Sequence, residues 1–325
     1  MQRIGISTTV PIEPFLAAGV SAVDLNNLFV TNADPAGLVE DAQVIGFPRN
    51  ICTWIKGMYG PASNMDGVVG VVRGDCSNTD SLLETLKRDG IRTHPFSYPI
   101  DRNRDDIEEE ISSLCGFLGT DMKEADMASG EVERLRSLAR RVDLERSERL
   151  GISAREAHLV QVSSSDFNSD PGGWEDWAKS ILSAGREREA PDPGPRIGYI
   201  GVPPIITDLF SRMDSLGGHV VFFETQRQFT MPFPEKDWIG KYLEYTYPYS
   251  IDGRIEDIRE QVVMRDIDGI IHYVQSFCHR QIDDIIFRKE LDLPILTIEG
   301  NLPGPMDERT VIRIEAFLDI LEGLP

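Results

Sequence analysis

The chain has 325 residues, of which 41% are hydrophobic, and its 54 acidic and 33 basic residues give a formal net charge of −21. This length exceeds what one ordinary hydrophobic core serves, so we expect two domains of about 100–150 residues each. The negative charge repels phosphate backbones and anionic lipid head groups, and no basic cluster in the sequence offsets it. Neither nucleic acid nor a membrane surface is therefore an expected partner, and a solvated acidic surface accounts for the charge.

The sequence shows no signal for a membrane span or for secretion. No stretch approaches the roughly 20 consecutive apolar residues that cross a bilayer. The first residues, Arg3–Ile6, have the pattern of a strand in place of the charged and apolar segments of a signal peptide. The chain has four cysteines, and sparse cysteines without a secretion signal serve metal or redox chemistry more often than a disulfide framework. We expect a cytoplasmic protein.

Short apolar strand patterns alternate with helical spacing in the first part of the chain. This alternation is typical of right-handed βαβ units and a parallel sheet. The expected strands are Arg3–Ile6, Ala22–Leu25, Val44–Phe47, Val68–Val72 and Ile91–Phe96. The expected helices are Pro14–Ala18, Ile51–Tyr59 and Thr79–Asp89.

The middle of the chain has a helical pattern. Apolar side chains recur at helical spacing at Ile107, Ile111, Leu114, Cys115 and Leu118. This spacing places Cys115 on the buried stripe of an amphipathic helix, where a cysteine behaves as a small hydrophobic residue, so we expect a structural role for it. Further helices are expected within residues 121–190 with a break at Ser163–Gly173, and Arg186–Pro195 has the composition of a linker.

A second alternation of strands and helices begins at Arg196. The expected strands are Arg196–Gly201, His219–Phe223, Gly269–Val274 and Pro294–Ile298, and the expected helices are Ile205–Leu216, Ile255–Met264, Ile282–Lys289 and Asp307–Leu321. We predict an α/β fold with two flavodoxin- or Rossmann-like parallel-sheet domains and an intervening helical segment. The predicted boundaries are 1–120 for the N-terminal α/β domain, 121–195 for the helices and linker, and 196–325 for the C-terminal α/β domain.

Three cysteines each follow a predicted strand and a short turn: Cys52 after Val44–Phe47, Cys76 after Val68–Val72, and Cys278 after its strand near residue 274. Ligands of open α/β sheets bind at the carboxyl ends of the strands, where the loops meet. We therefore expect these cysteines to converge on one inorganic cofactor between the two domains.

The residues after Cys76 predict a helix start. Ser77, Asn78 and Thr79 are all residues that cap helices, so Cys76 should lie at a helix N-terminus. The helix dipole at that position favours a thiolate over a thiol. This expectation supports a role for Cys76 as a metal ligand.

The pattern of cysteines leaves three kinds of site open. Iron–sulfur clusters are held almost wholly by cysteine, and three cysteines without a dedicated fourth suit a four-iron cube with one open iron. A closed zinc site needs four ligands, for which His279 or His272 would have to serve, and the tight Cys-x-x-Cys spacing of such sites is absent from the sequence. His272 lies inside a predicted strand, which favours a core position for it. Ordinary thiols are the third possibility.

Motifs spread over nearly the whole chain resemble one protein family. The segments that carry the resemblance are Gly46–Cys52, Gly74–Thr79, Glu224–Phe229, Tyr245–Tyr249, Ile271–Cys278, Leu296–Gly300 and Arg309–Phe317. From Met1 to Leu321 the chain resembles the iron–sulfur subunits of 2-hydroxyacyl-CoA dehydratases and benzoyl-CoA reductases, in particular the single-subunit branch that contains double-cubane cluster proteins.

The resemblance implies two flavodoxin-like domains with Cys52, Cys76 and Cys278 as cluster ligands. The expected cofactor is a 4Fe–4S cluster or a double-cubane 8Fe–9S cluster. It also implies an anaerobic system with a separate ATP-hydrolysing activator, and this chain has no Gly-x-x-x-x-Gly-Lys-Ser/Thr phosphate loop of its own. A double cubane needs more thiolates than these cysteines provide, so two copies would share it. We expect a homodimer on this ground or, for one cubane per chain, by family analogy.

The matched segments also contain candidate substrate-binding residues. Glu224, Arg227, Gln275 and Glu299 lie at or near predicted strand ends, where they could meet a small molecule or form salt bridges between domains. The expected function is that of an iron–sulfur oxidoreductase that receives ATP-gated electrons and reduces a small molecule at or next to the cluster. The alternatives are a subunit of a radical 2-hydroxyacyl-CoA dehydratase and a non-enzymatic cluster carrier.

Overall fold

The computed structural model describes residues 1–323. The strands are β1 (Arg3–Ile6), β2 (Ser21–Asp24), β3 (Gly67–Arg73), β4 (Thr93–Ser97), β5 (Arg196–Gly201), β6 (His219–Phe223), β7 (Gly269–Gln275) and β8 (Ile295–Gly300). The helices are α1 (Glu13–Ala17), α2 (Leu25–Val30), α3 (Pro35–Ile45), α4 (Thr53–Ala62), α5 (Asn78–Arg88), α6 (Arg104–Leu118), α7 (Met122–Arg149), α8 (Ala154–Val162), α9 (Pro171–Glu187), α10 (Leu209–Ser215), α11 (Glu224–Phe229), α12 (Trp238–Glu244), α13 (Ile251–Met264), α14 (Asp283–Glu290) and α15 (Glu308–Glu322). Short 3-10 turns occupy Ser163–Ser165, Phe167–Ser169 and His279–Ile282.

The strands form two four-stranded parallel sheets with the same topology. The order is β2-β1-β3-β4 in the first sheet and β6-β5-β7-β8 in the second. This is the beginning of the flavodoxin-like strand order, in which the chain reverses direction across the sheet next to its first strand. Every residue of β6 and β7 is buried, as expected for parallel strands that helices cover on both faces. The predicted α/β fold class is confirmed.

The chain divides into two compact units, each built around one sheet. Unit 1 comprises Met1–Ser137, Ser163–Glu175 and Phe229–Ser250. Unit 2 comprises Leu138–Val162, Asp176–Gln228 and the chain from Ile251 onward. None of the helices within residues 1–323 combines the length and the apolar composition needed to cross a membrane.

The expected strand Val44–Phe47 is wrong. The side chain of Asp34 caps α3 by accepting a hydrogen bond from the backbone N–H of Gly37, and Pro35 occupies the first turn. The helix continues to Ile45 and ends at Gly46, whose φ is 124°. The first two residues of the expected strand are 86% and 59% exposed, so this apolar run is the solvated end of a helix.

The correction changes the structural context of one candidate ligand. Cys52 follows a helix and a turn, whereas Cys76 and Cys278 do follow strands, as the sequence predicted. The expected arrangement of a cysteine after a strand therefore holds for two of the three residues.

Cys115 lies on the buried face of α6 and is 1% exposed, as the helical spacing predicted. Burial is the main cause that raises the pKa of its thiol to about 11. The side chain is therefore a neutral thiol at physiological pH and packs as a small apolar group.

A buried pair of carboxyl groups joins β2 to the segment Ser163–Glu175 within unit 1. The backbone N–H of Asp24 donates to Asp166 Oδ2 at 2.7 Å, and Ser165 Oγ donates to Asp24 Oδ2 at 2.7 Å. Burial, followed by the charge of Asp24, raises the pKa of Asp166 to about 7, and burial also raises the pKa of Asp24.

We expect this pair to make the protein less stable as pH rises from about 4 to about 7. The pKa of Asp166 is 3.8 in an ordinary setting and about 7 here, so folding favours its protonated form. Its contribution is therefore full below the unfolded pKa and is lost as pH rises through the folded pKa, by up to about 4 kcal/mol. Thermal unfolding measured across this pH range should show the loss. Asp166→Asn should reduce the dependence of stability on pH, whereas Asp41→Asn, at an exposed position, should leave it unchanged. An equal pH dependence in the wild-type protein and both variants would contradict the raised pKa of Asp166.

Candidate metal centre

Cys76 and Cys278 occupy equivalent positions in the two sheets. Strand β3 ends at Arg73 and β7 ends at Gln275, so each cysteine is the third residue after its strand. Strand β3 pairs with β1 and β7 pairs with β5, in each case on the side opposite the second strand of the sheet, so the strand order reverses there. Ligands of open α/β sheets bind at the carboxyl end of this reversal point. Each unit therefore presents one cysteine where its fold provides a crevice.

Cys52 lies at the N-cap position of α4 and is 6% exposed. It belongs to a hydrophobic cluster of unit 1 against which Cys76 also packs, so the structure brings these two candidate ligands into one neighbourhood. Helix α4 has 10 residues, and the N-terminal end of its dipole faces the cysteine. That field stabilises a thiolate relative to a thiol.

Cys76 precedes α5, which begins at Asn78, one residue before the expected start at Thr79. The backbone carbonyl of Cys76 accepts a hydrogen bond from the N–H of Thr79 at 3.0 Å. Ser77 occupies the cap position of this helix but makes no side-chain cap hydrogen bond. The helix start itself still places Cys76 near the positive end of a dipole.

A buried cation lies next to the Cys52 loop. Lys56 is one helical turn beyond Cys52 and is 2% exposed, and its Nζ donates to the carbonyl of Arg49 at 3.1 Å. Burial lowers the pKa of Lys56, and the negative charge of a Cys52 thiolate acts in the opposite direction. A buried ammonium is favourable only beside negative charge, so its position fits an anionic group bound at Cys52.

Two buried hydroxyl groups lie beside the same cysteines. Thr53 and Thr79 are both 0% exposed, and within residues 1–323 neither Oγ1 has a hydrogen-bond partner. Leaving such a donor unsatisfied costs about 1–3 kcal/mol. Sulfur atoms of an iron–sulfur cluster accept hydrogen bonds, so these hydroxyls together with Lys56 fit a cluster at this end of unit 1.

Cys278 lies in a strained turn of unit 2. Its N–H donates to the carbonyl of Gln275 at 3.0 Å, and the preceding Phe277 has a φ of 63° and is 53% exposed. A left-handed conformation at a residue other than glycine costs about 1–2 kcal/mol, and such strain is concentrated at functional sites. The turn exposes part of the Cys278 side chain at the carboxyl edge of the sheet.

Glu224 lies immediately after β6 and is 1% exposed. It accepts hydrogen bonds from Arg254 Nε at 2.5 Å, from Arg254 Nη2 at 3.1 Å and from the N–H of Gly201 at 2.8 Å. Arg254 also donates to Asp283 at 2.7 Å. Burial acts to raise the pKa of Glu224, but the charge and hydrogen bonds of Arg254 outweigh it, so the pKa is lowered.

The other three candidate substrate residues also lie in unit 2. Arg227 donates to Asp257 at 2.9 Å. Gln275 is buried and accepts from the hydroxyl of Tyr273 at 2.9 Å, while Glu299 is exposed and accepts from Ser276 Oγ at 2.6 Å. Gln275 and Glu299 share the strand edge with Cys278, whereas Arg227 lies on α11. The ion pairs described for Glu224 and Arg227 join elements of unit 2, and the binding roles of all four residues stay predictions.

The structure places residues next to Cys278 that the sequence interpretation did not single out, above all Arg254. A small cavity of about 10 Å³ is lined by Arg254, His272, Gln275, Cys278 and Arg280, among others. Cys278 also lines an open depression with Phe277 and Glu299. The signal for Arg254 is present in the sequence, because it interrupts an apolar helical stripe formed by Ile251, Ile255 and Ile258.

The loop Tyr245–Tyr249 packs on the Cys76 loop within unit 1. Its tyrosines alternate as in a strand, but they follow α12 in irregular structure and are buried. The hydroxyl of Tyr247 lies 3.3 Å from Asp75 Oδ1. A Cβ atom on Gly74, whose φ is 99°, would lie 2.7 Å from Pro248 Cβ, so this close approach requires glycine. The tyrosines thus serve packing against the loop that carries Cys76.

No group of three or more His, Cys, Asp or Glu side chains in the described part of the chain has the spacing of a metal site. The predicted ligand set takes Cys52 and Cys76 from unit 1 and Cys278 from unit 2. The chemistry of the donors fits a thiolate-bound cluster, because the helix N-termini, Lys56 and the two threonine hydroxyls all favour negative charge on sulfur.

A comparison with curated proteins returns no match. A comparison with protein families does: residues 7–321 match the family described as 2-hydroxyglutaryl-CoA dehydratase, D-component. The matched range contains strands β2 to β8 and all of the candidate cysteines, and it begins directly after β1. It confirms the resemblance inferred from the motifs. The chain belongs to the 2-hydroxyglutaryl-CoA dehydratase D-component family.

Proposed function

We propose that this chain is an iron–sulfur component that binds its cluster through Cys52, Cys76 and Cys278. It accepts low-potential electrons from a separate ATP-hydrolysing activator and uses them to reduce a small molecule at or beside the cluster. The observation that carries the proposal is the equivalent placement of Cys76 and Cys278 in two sheets of a chain that matches a dehydratase component over residues 7–321. The cofactor is a 4Fe–4S cluster or an 8Fe–9S double cubane shared by a homodimer.

The protein's own residues prepare the site for negative charge. The N-termini of α4 and α5 and the ammonium of Lys56 lower the electrostatic cost of thiolates and sulfides, and the hydroxyls of Thr53 and Thr79 are available as donors to sulfur. When bound, the cluster supplies one-electron chemistry and an iron open to substrate oxygen. These local charges set how readily it accepts an electron.

The carboxyl edge of unit 2 provides polar groups for the substrate. Gln275 and Glu299 lie beside Cys278 and are proposed to meet polar atoms of the small molecule. Glu224 and Arg227 on α11 are proposed to assist from the neighbouring helix, Glu224 through its ion pair with Arg254 and Arg227 through its pair with Asp257. Their ion pairs hold these charges in fixed positions.

The second candidate is the radical dehydration of a 2-hydroxyacyl-CoA, which the family description favours. The guanidinium of Arg254 pairs with Glu224 and Asp283, and Arg280 Nη1 lies 3.8 Å from Asp283 Oδ2. These two cations near Cys278 already have carboxylate partners, which disfavours their use for the phosphates of coenzyme A. The net charge of −21 also opposes an anionic cofactor such as coenzyme A. The family is one of enzyme components, which argues against a non-enzymatic cluster carrier.

We expect Cys52→Ser, Cys76→Ser and Cys278→Ser each to lower the iron and sulfide content of the anaerobically reconstituted protein. The wild-type chain should hold about four irons, because a cube bound by cysteine contains four. Cys115→Ser is the matched control, since this cysteine is buried in α6 and should leave the iron content unchanged. Iron and sulfide analysis with electron spin resonance measures the outcome.

Two results would contradict the ligand assignment. One is unchanged iron content in all three variants, and the other is near-stoichiometric zinc without iron in the wild-type protein. Reduction of the cluster by an activator with ATP, but not with a non-hydrolysable analogue, would support the electron source. Reaction of 2-hydroxyglutaryl-CoA without net consumption of electrons would favour the dehydratase candidate.

A further inference from the structure

A buried histidine–aspartate pair lies next to the Cys278 cavity of unit 2. His272 is in β7 and is 1% exposed, and its Nδ1 lies 2.8 Å from Asp284 Oδ1. Asp284 also accepts hydrogen bonds from Thr297 Oγ1 at 2.6 Å and from Arg288 Nε at 2.7 Å. The position of the carboxylate is therefore fixed by three side chains on different elements.

The hydrogen bonds determine which ring nitrogen carries the proton. Burial opposes ionisation of Asp284, but bonds from Thr297, His272 and Arg288 lower its pKa to about 2. An ionised carboxylate can only accept, so Nδ1 of His272 must donate to it. Burial lowers the pKa of His272, and the neutral ring therefore presents a lone pair at Nε2.

The opposite edge of the ring faces the cavity. Asp284 does not line the cavity, whereas His272 and Gly201 do. A Cβ atom built on Gly201 would lie 3.2 Å from His272 Cδ2, which is bonded to Nε2. Among residues 1–323 the ring makes its hydrogen bond to Asp284 alone, so Nε2 is available to a molecule in the cavity.

The cavity has the size and polarity for one water. Its volume of about 10 Å³ is close to the minimum that accommodates one water molecule, and its lining offers several polar partners. The charged groups around the ring are Asp284 on α14, Arg254 on α13, Glu224 on α11 and Arg280 near Cys278. Because Glu224 and Asp283 pair with Arg254, its positive charge is largely balanced and does not forbid a transient imidazolium.

We propose that His272 relays protons to the reaction at Cys278 through one water held in this cavity. The inference rests on the proposed function, because a substrate that accepts electrons also needs protons. The protonated ring releases its Nε2 proton to the water, the water passes a proton to the reduced substrate, and solvent reprotonates the ring. The activator supplies the electrons. In the dehydration candidate the same proton converts the departing hydroxide into water.

The first test uses the metal-free protein, so it does not depend on the cluster. Nitrogen-15 NMR of the histidine rings should show His272 as the Nδ1–H tautomer, and Asp284→Asn should change its tautomer ratio and lower its pKa further. His219 is the matched control, because it is a buried histidine on β6 whose Nε2 lies 2.8 Å from the carbonyl of Asp192. An Nε2–H tautomer for His272 in the wild-type protein would overturn the proposal.

The second test uses the cluster-loaded protein with its activator. The probes are hydroxylamine, whose reduction to ammonia and water consumes two electrons and two protons, and 2-hydroxyglutaryl-CoA. His272→Gln should keep the iron content and the ATP-dependent reduction of the cluster. It should lower turnover about a hundredfold or more and remove the ionisation of the histidine from the pH profile of turnover. His219→Gln should keep the wild-type turnover and profile.

The two hypotheses fail in different ways. Loss of iron binding by the wild-type protein would refute the proposed function and leave the NMR result for the pair intact. Wild-type turnover and an unchanged pH profile in His272→Gln would refute the relay while the function stands. If His272→Gln does not fold, or neither probe reacts, the tautomer and its response to Asp284→Asn decide the proposal.

Discussion

Replacing Arg254 with methionine is expected to lower the free energy of unfolding of unit 2 by about 3–5 kcal/mol. The guanidinium is 1% exposed and bonds to Glu224 at 2.5 and 3.1 Å and to Asp283 at 2.7 Å. Its removal leaves the carboxylate of Glu224, also 1% exposed, without its cation. A buried charge that loses its partner is far more costly than an exposed one.

Two further variants separate the cost of the unpaired charge from that of lost packing. The double variant Glu224→Gln with Arg254→Met should recover a large part of the stability, because no uncompensated charge remains. Arg259→Met is the surface control on the same helix, since Arg259 pairs with Glu290 at 2.9 Å in an exposed position and should cost less than about 1 kcal/mol. Urea unfolding measures all three. Wild-type stability for Arg254→Met would show that the pair contributes little.

Most of the fold follows from apolar periodicity. Strands β5 and β6 were predicted residue for residue, because each is a short apolar run bounded by proline, glycine or polar residues. The run Val44–Phe47 has the same appearance but ends a helix. The helix-start signals Asp34 and Pro35 precede it, and these local signals outweigh a run of four residues that periodicity alone cannot assign.

The candidate site was less accessible from sequence than the fold. Cys76 and Cys278 could be placed because strand ends are visible in the sequence, whereas the context of Cys52 depended on the misassigned strand. The pair of His272 and Asp284 joins a strand to a later helix, and no periodicity links two residues across such a connection. Arg254 lies on the apolar stripe of α13, but it was passed over because charged residues surround it in the sequence and its partner Glu224 lies on another helix.

Gly201→Ala is expected to destabilise unit 2 by about 2–5 kcal/mol, from left-handed backbone strain together with a steric collision. Gly201 ends β5 with a φ of 97°, and a Cβ atom there would lie 2.2 Å from the backbone oxygen of Tyr273. A backbone carbonyl within a sheet cannot move aside as a flexible side chain can. The substitution must therefore shift β5 relative to β7 at the edge that carries the cavity.

Gly217→Ala supplies the matched control, because Gly217 has a φ of 83° in the same unit and a Cβ atom there would meet nothing within 4 Å. It should cost about 1–2 kcal/mol from strain alone. Since the N–H of Gly201 donates to Glu224 and its carbonyl accepts from Thr225 Oγ1, its displacement should also disturb the His272 ring signals. If Gly201→Ala and Gly217→Ala have equal free energies of unfolding in urea and the His272 ring signals are unchanged, the end of β5 tolerates a side chain. The close packing of Gly201 against β7 would then not define the cavity.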